Sequence, residues 1–215
     1  MKGIATKDYL RGAFHTARAR LQVWKRRRII RREVSTQGGR VIVGSGATLY
    51  DGWLETDRNV LNILNPDDWK LLFNDNSLDA ILAEHVWEHF TAEEGLAAAV
   101  HCFQYLKPGG YIRAAVPDGF HPDNAYIEDV RPGGSGAGAK DHKVLYTYRT
   151  FSDVFTAAGF EVFPKEYFNE SGYFVENHWA ESEGMICRSK RFDARNKDGQ
   201  LRYTSIVLDA VKPIV

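Results

Sequence analysis

Two cysteines, Cys102 and Cys187, are the whole thiol content of 215 residues. That is too few for a disulfide framework or a thiolate metal centre. Net charge is missing as well: 28 Lys and Arg balance 28 Asp and Glu, so no overall field argues for a nucleic-acid partner. No apolar run reaches membrane length, no signal-peptide pattern stands out and no internal repeat is visible. The expectation is a cytoplasmic protein without a transmembrane segment. What is present is enough apolar material for a full core, with 44% hydrophobic and 13% aromatic residues. The length suits one domain, or one domain with an arm.

The arm comes first. Leu10, Phe14, Leu21, Trp24 and Ile29 fall near helical spacing with Arg and Lys between them, which predicts a helix over 5–31 with that stripe facing inward. It ends in the basic run Lys25 to Arg32. Such a run suits a solvated helix end with cations at the favourable pole, or contact with RNA, a partner or a membrane surface. We place an N-terminal helical arm at 1–36 and an α/β domain at 37–215.

The domain opens on Val41-Ile42-Val43-Gly44-Ser45-Gly46, and Leu54-Glu55-Thr56-Asp57 follows about a dozen residues on. A short β-branched run delivering the backbone to a glycine turn lets a ligand approach without a Cβ in the way. An acid at the tip of the next strand can accept hydrogen bonds from ribose hydroxyls. Strands are predicted at 40–43, 53–57, 60–64, 78–84, 111–116, 160–167 and 202–211. Pro66-Asp67-Asp68-Trp69 starts a turn or short helix, and a helix is predicted over 148–158. Thr91-Ala92-Glu93-Glu94 is a capping box opening a helix to about Leu106, with Leu96, Val100 and Phe103 inward. Strands alternating with helices imply a mostly parallel sheet with right-handed crossovers. The stretches 119–145 and 168–200 are irregular and read as substrate or lid loops of the domain. The first holds the glycine-rich run 131–138, whose length suits a lid or binding segment, or a plain connector.

Histidine is the side chain best suited to take a proton near neutral pH. Of His85, His89, His121, His142 and His178, we select His85 and His142 as catalytic candidates. Both should project from the carboxyl edge of the sheet, where ligands bind in open α/β folds. His85-Val86-Trp87-Glu88-His89 also fits the H-x-x-E-H pattern of a zinc peptidase. That pattern needs one helical face, and the capping box starts the helix only after His89, so a zinc hydrolase through His85, Glu88 and His89 is a remote alternative and no metal is expected. Asp118 and His121, after the fifth strand, are candidates to touch substrate; Asp118 could equally cap a turn. Aromatics at Tyr167, Phe168, Tyr173, Phe174 and Trp179 could line an acceptor pocket or pack under a loop.

Taken together, the turn Gly44-Ser45-Gly46, the acid Asp57, Asp75-Asn76-Ser77-Leu78-Asp79-Ala80-Ile81, Glu84-His85-Val86-Trp87-Glu88-His89, Leu106-Lys107-Pro108-Gly109-Gly110 and Ala157-Ala158-Gly159-Phe160 resemble the class I S-adenosylmethionine-dependent methyltransferases, in particular their small bacterial members. The resemblance implies a Rossmann-like seven-stranded sheet with an antiparallel last strand. It implies S-adenosylmethionine over the strand tips, with Gly44, Ser45 and Gly46 beside the methionine moiety and Asp57 on the ribose. Asn65 and Asp67 would lie by the adenine, and Glu84 and His85 would face the methyl-transfer centre. One departure stands out: only 47–53 separate the glycine turn from the second strand, where the family has a helix. One sheet face thus loses cover, and we expect the N-terminal helix to fill it. The acceptor is expected to be a small molecule or glycan, methylated at oxygen, and a homodimer is compatible. The rival reading is a non-catalytic module of the same fold that docks through its basic arm.

Overall fold

Residues 4–46, 48–196 and 199–214 are described by the computed structural model, with the side chains of 4–17 and Gln37 also outside the description. The order is α1 (Ile4–Gln37), β1 (Gly39–Val43), β2 (Leu54–Glu55), α2 (Pro66–Leu72), β3 (Leu78–Glu84), α3 (Ala92–Tyr105), β4 (Leu106–Pro117), α4 (Asn124–Val130), α5 (Tyr148–Ala157), β5 (Glu161–Phe168), β6 (Phe174–Glu176) and β7 (Ser205–Val211). The strands form one sheet in the order β2-β1-β3-β4-β7-β5-β6. β2, β1, β3 and β4 are mutually parallel, and β7 runs antiparallel between β4 and β5. This is the expected Rossmann-like sheet with its reversed last strand.

The count of seven is reached differently from expectation. Residues 60–64 form no strand; the amides of Val60 and Leu61 bond the Asp57 carbonyl in a turn instead. Leu61 and Ile63 are buried, and that alternation mimics a strand although they pack beneath α2. The seventh strand is β6, a short edge strand paired to β5.

Alternation along the strands separates two cores. Val41 and Val43 face one with Ile112, Ala114, Ile206 and Leu208; Ile42 faces the other with Leu82, Ala115 and Val207. The first core is covered by α1, α2, α3 and α5 through Ile30, Val34, Trp69, Cys102, Phe151 and Phe155. The second is covered by Trp53 and an irregular tail segment carrying Trp179 and Ile186.

The N-terminal helix therefore does not fill the gap left by the short β1–β2 link. It lies on the helical face, and the link and the tail segment close the opposite one. Its inward residues also differ from expectation. Leu21, Trp24 and Ile29 are exposed, while Ile30 and Val34 are buried; Leu10 and Phe14 have side chains outside the described residues. Burying two such side chains is worth roughly 1.5–3 kcal/mol each. The basic run adds Arg26 to Glu55 at 2.6 Å and Arg27 to Asp68 at 2.8 Å. Part of that run thus docks the helix. In α3 the capping box forms as expected, but Ala98, Ala99, Cys102 and Tyr105 point inward, and Leu96 and Val100 are exposed.

Candidate active site

The carboxyl ends of β1 and β3 open into a cleft of about 860 Å³. Gly44, Ser45 and Gly46 form its floor, and Glu84, His85, Glu88 and His89 one side. Ala137, Gly138 and His142 come from the glycine-rich loop, and Arg188, Phe192, Asp193 and Arg195 from the tail segment. The tail segment falls within the 168–200 stretch read as a substrate or lid loop, but without periodicity no pattern singled out these four residues.

Gly44 and Gly46 both have positive φ, 62° and 55°. A Cβ on Gly44 would lie 2.7 Å from the Val86 side chain, whereas one on Gly46 would meet nothing within 4 Å. The first glycine is therefore needed by the fold, and the second leaves open space at the cleft floor. The Ser45 amide bonds the Thr56 carbonyl at 2.9 Å, which sets Asp57 one residue from the turn.

His85 sits at φ 55°, strained backbone of the kind that collects at functional sites. Its Nε2 lies 2.9 Å from the Ser205 hydroxyl and its Nδ1 3.1 Å from Glu88 Oε1, the latter off hydrogen-bonding geometry. Serine, histidine and glutamate in line resemble the relay of a serine hydrolase, yet Ser205 is fully buried. It steadies the ring and offers no nucleophile to the cleft.

His142 is brought in by backbone latching. Lys143 and Val144 amides both bond the Glu88 carbonyl, at 2.7 and 3.3 Å, fastening the glycine-rich loop to the tip of β3. A single 3₁₀ turn at 139–141 follows Gly138, whose φ is 86°. His142 Nδ1 meets the Val130 carbonyl at 2.7 Å. A carbonyl only accepts, so Nδ1 carries the proton and Nε2 keeps a lone pair. The imidazoles of His89 and His142 meet edge to face at 4.9 Å.

The remaining candidates are elsewhere or otherwise engaged. Glu84 borders the cleft, but its carboxylate accepts the amides of Cys187 and Arg188 at 3.0 and 2.8 Å, tying down the tail segment. Asp57 does not line the cleft; Oδ1 accepts the amides of Asn59 and Val60 in the turn toward α1. Asn65 caps α2 by accepting the Asp67 amide at 3.1 Å, with Asp67 in its first turn. Neither reaches the cleft. Asp118 is fully buried, its oxygens accepting the amides of Phe120 and Phe168. Burial pushes its carboxyl up to about 6. His121 is also buried, stacked on Tyr126 at 3.9 Å, and burial lowers it to about 4. Both brace the base of the 119–145 loop, whose α4 was not anticipated. Most of the tail aromatics pack, Tyr167 on Tyr148, Phe168 on His121 and Phe174, and Trp179 in the second core, while Tyr173 is exposed away from the cleft lining.

No helix of the described residues is long and apolar enough to cross a membrane. A family model described as a methyltransferase domain matches residues 48–114, from the β1–β2 link into β4. No curated protein matches the chain. Among solved structures the fold is similar to that of a SAM-dependent methyltransferase from Archaeoglobus fulgidus, 15% identical over 90% of this chain and 94% of that one, with a TM-score of 0.50. A possible histamine N-methyltransferase from Thermotoga maritima matches at 16% identity over 89% of this chain and 96% of that one, with a TM-score of 0.49. A complex of the Haloferax volcanii Trm112 methyltransferase activator with a putative methyltransferase matches at 15%, over 93% and 94%, with a TM-score of 0.47. The matched domain, the antiparallel last strand and the glycine turn agree: residues 48–114 match a methyltransferase domain, and they sit in a sheet whose fold is similar to that of a SAM-dependent methyltransferase.

Proposed function

We propose that the protein methylates an oxygen of a small, polyhydroxylated acceptor such as a sugar-containing molecule, in the cleft over β1 and β3. The carrying observation is the lone pair of His142 Nε2, left free by the Val130 carbonyl at the acceptor side of the cleft. A hydroxyl acceptor must lose a proton, and a neutral imidazole is suited to receive it.

The residues present fit S-adenosylmethionine. The cleft volume of about 860 Å³ falls in the range of small-ligand sites. The open space above Gly46 admits a ligand close to the backbone, and Ile42, Leu82 and Tyr50 add apolar lining. When bound, the cofactor supplies an electrophilic methyl group on a sulfonium. Ser45 and the two glycines hold its methionine end. Asp57 lies outside the cleft lining, next to Thr56, which the Ser45 amide bonds; its Oδ1 is held by the Asn59 and Val60 amides, and the ribose would have to extend past the glycine turn to reach its Oδ2. His85, fixed by Ser205 and Glu88, shapes the transfer centre together with the Glu84 side of the cleft. The tail segment contributes Arg188, Asp193 and Arg195 beside Phe192, fixed charged forks and an aromatic face that suit a polyhydroxyl ligand. Excluding water and aligning donor with acceptor supply most of the acceleration in such a displacement.

Calorimetric titration with S-adenosylmethionine and S-adenosylhomocysteine is the test. Micromolar binding is expected, and Asp57→Ala should weaken it by about 2–3 kcal/mol, roughly 30- to 150-fold. Unchanged affinity in a folded Asp57→Ala protein would confine that carboxylate to its turn. His142→Ala should bind the cofactor within about threefold of the parent yet lower turnover on a hydroxyl acceptor by about 10²-fold or more. Full turnover by that variant would remove His142 from proton transfer.

A further inference from the structure

The Glu88 carboxylate is 1% exposed, and neither of its oxygens has a hydrogen-bond partner among the described residues. An unpartnered buried carboxylate is costly, and native structures keep few of them. One oxygen has His85 Nδ1 at 3.1 Å, which leaves the other unexplained. Around it stand His89 and His142. One ligand-capable atom from each of Glu88, His89 and His142 lies within 4.8 Å of the other two. His142 donates Nδ1–H to the Val130 carbonyl, the outer contact that fixes a ligating histidine's tautomer and aims its other nitrogen. The bonds from Lys143 and Val144 to the Glu88 carbonyl hold the two contributing segments in register.

We infer that Glu88, His89 and His142 form a binding site for a divalent transition-metal cation of the zinc type, at the acceptor side of the cleft. Two imidazoles and a carboxylate are a donor set that leaves a fourth position open. An ion bonded at about 2.1 Å holds tetrahedral ligands roughly 3.4 Å apart, so side-chain rotations of an ångström or so would close the set. The grouping is not the H-x-x-E-H pattern read from the sequence: His85 is replaced by His142, 53 positions beyond His89 in the numbering. The site's role rests on the proposed oxygen methylation, although its occupancy does not. A hydroxyl of the acceptor occupying the fourth position would give up its proton to solvent more readily, because the cation stabilises the alkoxide. The His142 lone pair would then serve the cation, and the loss of turnover in His142→Ala would arise through it.

The experiment is titration of the full, chelator-treated protein with zinc against a chromophoric competitor, with cobalt as a spectroscopic probe of four-coordination. One equivalent of zinc is expected to bind at micromolar concentration or tighter. Glu88→Gln and His142→Ala should each weaken it at least tenfold, and His178→Ala, an exposed histidine outside the set, should leave it unchanged. His89→Gln, at a half-buried position, serves if Glu88→Gln does not fold. Absence of zinc binding, or binding indifferent to all three ligand substitutions, overturns the site. S-adenosylmethionine titrated into the same samples separates the two readings. Cofactor binding without zinc removes the metal site alone, and zinc binding without cofactor removes the methyl-transfer reading alone.

Discussion

Arg113→Ala is expected to destabilise the protein by about 3 kcal/mol, toward the low end of the cost of breaking a buried ion pair, since it removes the closer partner of a buried charge. Arg113 is wholly buried on β4, where Nε and one terminal nitrogen grip both oxygens of Asp209 on β7 at 2.7 and 2.9 Å. The other terminal nitrogen donates to the carbonyls of Ala180 and Gly184, both at 2.8 Å. The guanidinium also lies over Trp179, 5.0 Å from the ring centre. One side chain therefore joins two strands to the segment that covers the helix-free face. Truncation leaves Asp209 with only the more distant Lys165, 3.5 Å away, frees two carbonyls and unpins Trp179. Urea unfolding followed by circular dichroism measures the loss. Arg113→Met combined with Asp209→Leu should recover most of it, since apolar replacement of both partners removes the uncompensated charge. A single variant within 1 kcal/mol of the parent would show that the segment is held by Trp179 and Ile186 alone.

The second large effect is one that the parent protein hides. Asp118 titrates near 6 when folded against 3.8 unfolded, because burial disfavours its charge. The folded state then holds the extra proton, so this group stabilises fully below pH 3.8 and loses that contribution as pH rises through 6. His121 does the reverse: burial lowers it from 6.5 to about 4. Its contribution is present above pH 6.5 and is lost as pH falls through 4. Each is worth roughly 3 kcal/mol at about 1.4 kcal/mol per pK unit. Over pH 4–6 the two slopes oppose each other, and the parent's stability from this region should be nearly flat. His121→Phe keeps the stack on Tyr126 and removes one slope. That variant should lose stability as pH rises from 4 to 6, whereas Asp118→Asn should lose it as pH falls from 6.5 to 4. Chemical denaturation at three pH values reads both, and parallel pH profiles for the two variants would refute the pairing.

How far these features were readable from residues alone follows from how local each one is. The capping box at Thr91, the strand Leu78–Glu84 and the helix from Tyr148 rest on neighbours within a few positions, and they form where the pattern puts them. The inward face of α1 was not readable, because Leu21 and Trp24 have the right spacing while Ile30 and Val34 have the right neighbours. The same holds at 60–64, where burial beneath α2 imitates strand alternation. At the site, the glycine turn and the two chosen histidines share one cleft. Glu88 draws its interest from burial, which no local pattern reveals. Asp118 and His121 have the right chemistry for a site and the right position along the chain, but their side chains turn inward to hold backbone amides and a ring. The stretch 168–200 was expected beside the substrate, but which of its residues would face the cleft and which the core could not be read, since the placement of Trp179 to Arg195 depends on Glu84, Arg113 and Glu166, all remote in sequence.

That tail segment ties durability to selectivity. The same short stretch supplies Trp179 and Ile186 to the second core and Arg188, Phe192 and Arg195 to the cleft wall. In a protein with helices on both faces, an enzyme lineage can vary its acceptor loops while leaving the core untouched. Under the proposed reading, a change in this segment that admits a new acceptor would also repack the covering of Ile42, Leu82 and Val207. Substitutions that reshape this wall of the cleft are thereby coupled to the packing of the second core.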